Sequence, residues 1–162
     1  MILHKLQLDD FDDIDYHLIA IHSNLEDYRM AFFLNKNLPI LLSKSKKYLN
    51  INIKQNEVLV TKFEYMDNST DRYWTLVSNK SEIITNQKST SQNLFLDQEI
   101  ETELKIFLLP ELKKVDYLLK IQNTNQNFDL TKIISQINTI DQVSTVYEIN
   151  PEKIKSKNNL IF

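Results

Sequence analysis

The chain has 162 residues, of which 42% are hydrophobic, and it carries a formal net charge of −3. This length and apolar content suit one folded domain spanning residues 1–162, and they exclude a largely disordered chain. The acidic balance excludes broad electrostatic capture of nucleic acid, above all DNA, because such capture depends on clustered Lys and Arg.

The chain contains no glycine, although average usage near 7% would place roughly eleven in this length. Walker loops, dinucleotide fingerprints and nucleophile elbows all need a residue without a Cβ atom, so these enzyme classes are disfavoured. Turns must then be made by Asn, Asp, Ser and Pro. We therefore expect no cofactor and regard an enzyme as the less favoured class.

The chain also contains no cysteine, which removes disulfides, thiolate nucleophiles and Cys-containing zinc sites. This absence is compatible with a reducing compartment, and the cytoplasm is the expected location. The first thirteen residues lack the features of a secretory signal, and no apolar run reaches membrane-spanning length. We expect no association with a membrane.

In the first half of the chain, alternating apolar residues predict a strand over residues 2–8 and a second, apolar on both sides, over 16–22. The second strand should be central in its sheet. Ser23 and Glu26 have the spacing of a capping box, which predicts a helix from Ser23. That helix should end near Leu38, because the following proline disfavours helical dihedrals in the residue before it.

The middle of the chain shows short strand patterns separated by Asn- and Asp-rich connections. They lie at residues 40–45, 49–53, 58–65 and 73–78. Together they predict an antiparallel meander. Residues 85–93, TNQKSTSQN, have nothing to bury, and they predict a mobile surface loop within the domain.

The last third of the chain predicts two strands, a helix and a further strand. Residues 103–109 and 115–121 read as strands joined through a bend at Pro110, as a hairpin or a bulged corner. A helix after Asp129 has one buried face, and residues 143–149 alternate as a strand. Strand, helix and strand would form half of a ferredoxin-like module if both strands share a sheet. The fold class is therefore α+β, mostly antiparallel, with two main helices.

Residues 109–117 read LPELKKVDY and place a proline and an acid before an alternating apolar strand. This segment resembles the signature of the IPExxxVDY family, with Leu109 in place of the usual isoleucine. The segments LEDYRMAFFLNK and KSKNNLIF are similar to further features of that family. The resemblance implies a bacterial protein and a shared shape, but no reaction, because the family has no assigned activity.

Two groups of possible metal ligands were weighed. Five aspartates between Asp9 and Asp15 could hold Ca²⁺ or Mg²⁺, but the segment lacks the glycine turn and bidentate acid of a calcium loop. We interpret it as a solvated acidic turn and predict no metal site. His17 and His22 lie five apart on one predicted strand, so they should point to opposite faces and cannot share an ion.

Glu111 and Asp116 could act as paired carboxylates, with Tyr117 as a hydroxyl partner. A structural role is favoured, with Glu111 in a turn, Asp116 accepting backbone or lysine hydrogen bonds, and Tyr117 on a core face. The lysines at 44, 46 and 47 precede Tyr48, a spacing that could suit single-stranded RNA. A solvated strand edge is the favoured interpretation of these lysines.

Three functions from different classes are consistent with these patterns. The favoured one is a non-catalytic interaction or adaptor module whose bend and apolar ending dock on another protein. Its predicted contact residues are Pro110, Glu111, Asp116, Tyr117 and Phe162. The alternative is a regulatory domain that senses a small molecule near residues 123–128, although the missing glycine disfavours close backbone approach there. An RNA-associated accessory protein is the minor alternative, and the sequence leaves the oligomeric state open.

Overall fold

The computed structural model describes residues 15–53, 56–87 and 100–162 of the chain. These residues form an α+β fold in which most residues of regular structure lie in antiparallel strands. The strands are β1 (Tyr16–Ser23), β2 (Ser43–Lys44), β3 (Leu49–Ile53), β4 (Asn56–Val60), β5 (Lys62–Asp67), β6 (Arg72–Ser78), β7 (Lys80–Gln87), β8 (Ile100–Phe107), β9 (Tyr117–Gln122) and β10 (Val143–Ile149). The helices are α1 (Asp27–Asn37) and α2 (Leu130–Asn138). The strand predicted over residues 2–8 lies outside the described residues.

The central sheet has six strands in the order β10-β1-β9-β6-β5-β2, and every pairing is antiparallel. Since β1 lies between β9 and β10 and is antiparallel to both, β9 and β10 run parallel to each other and α2 connects them. The predicted strand-helix-strand unit is therefore confirmed. It is a split unit, with one strand inserted between its two parallel strands.

A second split unit is formed by β1, α1 and β6, which the sequence pattern did not indicate. Here β9 lies between the parallel strands β1 and β6. The two units interlock in the strand order β10-β1-β9-β6, which is the order of a ferredoxin-like fold. The second unit was missed because four strands, β2 to β5, separate α1 from β6 along the chain.

The sheet is buried on both faces. Ile19 and Ile21 of β1 face the two helices and belong to one apolar cluster, whereas Leu18 and Ala20 face the opposite side and belong to another. The second cluster is completed by residues of the hairpins β3–β4 and β7–β8 and by Leu160. The inserted hairpins thus cover the sheet face opposite the helices. This burial on both sides explains why β1 is apolar throughout.

The predicted capping box is wrong. β1 continues to Ser23, whose hydroxyl donates to Gln142 O at 2.8 Å and accepts from Leu25 N at 3.2 Å. This hydroxyl therefore joins the end of β1 to the loop before β10, and α1 begins later, with Glu26 at its N-cap position. The predicted end of the helix is confirmed, because Leu38 is its C-cap residue.

The predicted meander and loop need two corrections. β3–β4 and β7–β8 are separate two-stranded sheets, because their apolar residues pack on the central sheet as whole hairpins. β7 extends to Gln87, so residues 85–87 are strand, and residues 88–93 lie outside the described residues. β8 and β9 do not pair, so Pro110 begins a 3₁₀ turn, Pro110–Leu112, instead of a hairpin.

Two turns adopt the left-handed backbone conformation without glycine. Asp71 has φ of 53° and Asn123 has φ of 57°. Both residue types tolerate this region better than other side chains do. The two turns are also joined, because Asn123 Nδ2 donates to Asp71 O at 2.8 Å. The prediction that Asn and Asp replace glycine in turns is confirmed at these positions.

Candidate functional site

The LPELKKVDY segment is held by one buried asparagine. Asn79 lies between β6 and β7 and is 0% exposed. Its Nδ2 donates to Leu112 O at 2.9 Å and Val115 O at 3.0 Å, while its Oδ1 accepts from Leu109 N at 2.8 Å. A side-chain amide with both donors and an acceptor can satisfy three backbone groups at once. Asn79 therefore fixes the path of the turn, although sequence reasoning gave it no role.

The two polar residues at the end of the segment are engaged within the fold. Asp116 accepts from Ser23 N at 2.9 Å and from Lys80 Nζ at 2.6 Å, one bond to each carboxylate oxygen. Tyr117 is 6% exposed and its hydroxyl donates to Leu25 O. Burial, with the nearby carboxylates as a smaller cause, raises the pKa of Tyr117 to about 12. The predicted core position of Tyr117 is confirmed.

Glu111 ties the turn to a later part of the chain. One carboxylate oxygen accepts from Lys155 N at 2.8 Å and Ser156 N at 2.9 Å, and the other accepts from Ser156 Oγ at 3.0 Å. Partial burial alone would raise the pKa of Glu111, but these hydrogen bonds lower it below its ordinary value. Pro110, in contrast, is exposed at the start of the turn. Glu111, Asp116 and Tyr117 thus form hydrogen bonds within the chain, whereas Pro110 is exposed.

Phe162 lies beside a buried lysine that the sequence analysis did not single out. Lys120, in the middle of β9, is 5% exposed, and its Nζ donates to Leu160 O at 2.7 Å and to Phe162 O at 3.3 Å. The ammonium also lies 4.8 Å from the ring centroid of Tyr16 and 4.9 Å from that of Phe162. Burial lowers the pKa of Lys120. The apolar ending therefore docks on the sheet of its own chain.

The two edges of the central sheet differ in length and charge. The edge strand β2 has only two residues, Ser43–Lys44, and exposed Lys46 and Lys47 follow it. Lysines and short strands are devices that protect a sheet edge from pairing with another chain. The predicted edge position of these lysines is confirmed. Phe63 and Trp74 are buried, so they are not a platform for stacking bases.

The opposite edge strand, β10, has seven residues and carries neither lysine nor proline. Among the described residues it pairs only with β1, which leaves its second edge without a strand partner. Thr145 and Tyr147 are exposed on the face opposite the helices, where Tyr147 contacts His22. Glu148 bonds to His17 Nδ1 at 3.0 Å. β10 is therefore the long, mainly uncharged edge of this sheet.

A small cleft lies beside α2, next to the loop that the sequence analysis named for ligand binding. It has a volume of about 220 Å³ and is lined by Pro39, Arg72, Phe128, Lys132 and Gln136, among others. The Arg72 guanidinium carbon lies 4.5 Å from the centroid of the Phe128 ring. The same ring also contacts His17, which is stacked with it at 5.7 Å between centroids, and Trp74, which lies edge-on at 6.1 Å.

A more open cleft of about 580 Å³ lies at the end of β1 and contains Asp116 and Asp141. Both oxygens of Asp116 already accept hydrogen bonds, so this pair does not supply a free dyad. Glu111 contacts a different segment and does not join Asp116 in this cleft. Within residues 15–53, 56–87 and 100–162, no group of three or more His, Asp or Glu side chains could hold a metal ion. Residues 9–14 of the acidic segment lie outside those ranges.

The two histidines of β1 lie on opposite faces, as predicted. His17 contacts Phe128 on the helix side, whereas His22 contacts Tyr147 on the other side.

In the part of the chain that the structure describes, no helix has the length and apolar character needed to cross a membrane. Comparisons of the chain with protein-family models, curated proteins and solved structures found no match.

Proposed function

We propose that this protein is a non-catalytic interaction module that binds a partner protein by accepting one of the partner's strands beside β10. The observation that carries the proposal is the seven-residue edge of β10, which no other described strand covers. An edge strand offers a row of backbone donors and acceptors, and an extended peptide can add to it through main-chain hydrogen bonds.

The contrast with β2 supports this choice of surface. Both strands end the same sheet, but β2 is too short and too basic to receive a strand. β10 combines β-branched residues with exposed Thr145 and Tyr147, which can contact alternate side chains of an added strand. Strand addition is therefore confined to one edge of the sheet.

The charges around β10 indicate the chemistry of the partner segment. Asp141 is exposed before the strand and Glu148 lies within it, whereas the exposed Glu152 and Lys153 after it offset each other. The whole chain has a net charge of −3. Complementary charge speeds association and suppresses wrong partners. The partner segment should therefore be an extended stretch that alternates apolar residues with Lys or Arg.

The substitution Thr145→Lys tests the proposal, because it places a lysine on the open edge without altering the core. Thr131→Lys is the matched control, since Thr131 is equally exposed but lies on α2. Both proteins should be used for affinity capture from native lysate, with and without nuclease. We expect Thr145→Lys to lose the captured protein and Thr131→Lys to retain it. Equal capture by both variants would remove β10 from the interface.

Hydrogen exchange gives a second, residue-level readout of the same complex. Binding of a strand should slow exchange of the outward amides of β10, residues 143–149, and leave those of β2 unchanged. Light scattering of the purified protein checks for a second copy as the occupant. If the native protein is a dimer and Thr145→Lys dissociates it, the strand beside β10 belongs to a second copy of this chain and not to a foreign protein. Capture that disappears with nuclease would favour the RNA-associated alternative.

The predicted contact residues define a second surface for the same experiment. Pro110 is exposed and Phe162 is half-buried, so Pro110→Ala alters this surface without removing an internal hydrogen bond. Loss of capture with Pro110→Ala but not with Thr145→Lys would assign the interface to the turn.

We further propose, from the LPELKKVDY segment, that the chain is a bacterial member of the IPExxxVDY family. From the lack of cysteine we propose that it works in the cytoplasm.

A further inference from the structure

The cleft beside α2 has an excess of positive charge. Arg72 and Lys132 both line it, and neither lies within 4 Å of a carboxylate oxygen among the described residues. The acidic side chain in the lining is Asp129, which accepts from Lys132 N at 3.0 Å as the N-cap of α2. Arg72 also pairs across the sheet with Asp67 of β5, which is not in the lining. Within the lining, two cations face one engaged carboxylate, which favours a ligand that carries a carboxylate group.

Two buried polar atoms at this cleft lack hydrogen-bond partners. Within the described residues three buried side-chain atoms are unsatisfied, and two of them, Arg72 Nε and Gln136 Oε1, belong to the cleft lining. Such atoms are rare in native proteins, because a buried polar atom that stays unpaired destabilises the fold. One is a donor and the other an acceptor, so a ligand that satisfies both needs an acceptor and a donor of its own.

The size and walls of the cleft limit what can occupy it. A volume of about 220 Å³ is below the roughly 300–1,000 Å³ of pockets that hold drug-sized ligands, so the occupant must be small. Phe128, Ile133 and Pro39 supply apolar walls, while Arg72 supplies a planar fork that matches a carboxylate. Arg72, Lys132 and Gln136 of the lining offer polar groups on their side chains. Close backbone approach, for which the missing glycine would matter, is not required.

We propose that this cleft binds a small amino acid, whose carboxylate pairs with Arg72 and whose N–H group donates to Gln136 Oε1. Lys132 adds a second positive charge near the carboxylate, and Phe128 and Pro39 contact the side chain of the ligand. The site is independent of strand addition at β10, because none of its lining residues lies on that strand.

The chain contains its own reporter for this site. Trp74 is its single tryptophan, it is buried, and it contacts Phe128 of the cleft wall edge-on at 6.1 Å. Native protein should be titrated with each common L-amino acid, with succinate and with inorganic phosphate, while Trp74 fluorescence and Tm are followed. We expect at least one small amino acid to change both signals at millimolar concentration. Succinate, which has no hydrogen-bond donor at neutral pH, should bind roughly tenfold more weakly or not at all, and so should phosphate, which has an O–H donor but no side chain for the apolar walls.

Three variants separate binding from folding. Arg72→Met should weaken the response roughly tenfold or more, whereas Arg29→Met, at the other arginine of the chain, should leave it unchanged because Arg29 is exposed on α1. Gln136→Leu removes an unpaired buried acceptor, so it should raise the Tm of the ligand-free protein and still lose the response. This variant keeps the test valid if Arg72→Met fails to fold.

Several results would overturn the proposal. No response of the native protein to any amino acid would do so, as would an equal response in Gln136→Leu or a response to phosphate alone. Thr145→Lys should respond to the amino acid as the native protein does. Failure of the site is therefore distinguishable from failure of the interaction surface at β10.

Discussion

The LPELKKVDY segment and β10 differ in how their polar groups are used. In the segment, hydrogen bonds to other parts of the same chain engage the turn backbone, the carboxylates of Glu111 and Asp116 and the hydroxyl of Tyr117. In β10, one edge bonds to β1 and no described strand bonds to the other. The segment with the more distinctive sequence is the one with fewer groups left for a partner.

This difference shows that a recognisable motif can encode a fold instead of a contact surface. The segment carries the chain from the β7–β8 hairpin into the central strand β9, and Asn79 and Glu111 tie it to distant residues. β10 is an ordinary alternating strand, and its importance comes from its place at the end of the sheet. Substitutions in the two regions should therefore affect different properties.

The largest expected effect on stability is that of Asn79→Ala. It removes three side-chain hydrogen bonds at a position that is 0% exposed. Among the described residues, Leu109 N and Val115 O then lose their partner, while Leu112 O keeps the bond from Val115 N at 3.0 Å. We expect the free energy of unfolding to fall by about 3 kcal/mol. Urea unfolding measures it, with the exposed Asn24→Ala as a control that should change little. A loss below about 1 kcal/mol would contradict the structural role of Asn79.

Tyr117→Phe should have a smaller effect that depends on pH. Loss of the hydrogen bond to Leu25 O should cost about 1 kcal/mol near neutral pH. The pKa of Tyr117 is raised from 10.0 to about 12, so its hydroxyl stabilises the fold fully below pH 10 and loses this contribution as the pH rises through 12. The variant should therefore lose less stability in alkali than the native protein. Tyr28→Phe, at an exposed site on α1, should leave the alkaline slope unchanged.

Glu111→Gln should destabilise the fold less than Tyr117→Phe does, by under about 1 kcal/mol, because Glu111 is exposed and solvent screens its charge. Its lowered pKa means that the stabilisation is present above pH 4.5 and is lost as the pH falls through the lower folded value. Acid titration of stability should be shallower in the variant. An identical acid profile for Glu111→Gln and the exposed Glu152→Gln would show that the bonds to residues 155–156 contribute nothing.

The smallest expected effect on stability is that of Thr145→Lys on β10. Its free energy of unfolding should stay within about 0.5 kcal/mol of the native value, since exposed substitutions away from special features rarely exceed this. Thr131→Lys should behave in the same way. A loss above about 1 kcal/mol in Thr145→Lys alone would mean that β10 is covered within the fold, and the comparison would no longer hold.

Much of the fold follows from local patterns in the sequence. The continuous apolar run of β1, the alternation in β9 and β10 and the apolar face of α2 are local patterns, and the elements that they predicted were found. The β1-α1-β6 unit was not predicted, because β1 and β6 are connected in the sheet only through their pairing with β9. The capping box was predicted wrongly for the same reason, because the Ser23 hydroxyl donates to Gln142 O, a group far away along the chain.

The candidate sites were predicted less well than the fold. Asn79 has no sequence signal, because asparagine is common in this chain and its role comes from three long-range bonds. Lys120 does have a sequence signal, because it is a lysine within the apolar strand YLLKIQ. The cleft beside α2 joins Arg72 to Gln136 only through tertiary packing. Two residues of the loop over 123–128, Asn127 and Phe128, line this cleft, whereas no sequence pattern singled out Arg72.

Because Lys120 is enclosed, its chemical modification can report local opening of the fold. Amine-acylating reagents attack the neutral form, which burial favours at this side chain, but Leu160 O and the rings of Tyr16 and Phe162 shut the reagent out. Exposed lysines should acylate quickly, whereas Lys120 can react only while residues 157–162 are away from the sheet. Its acylation rate, measured by mass spectrometry, should therefore rise with the population of that open form in the intact protein.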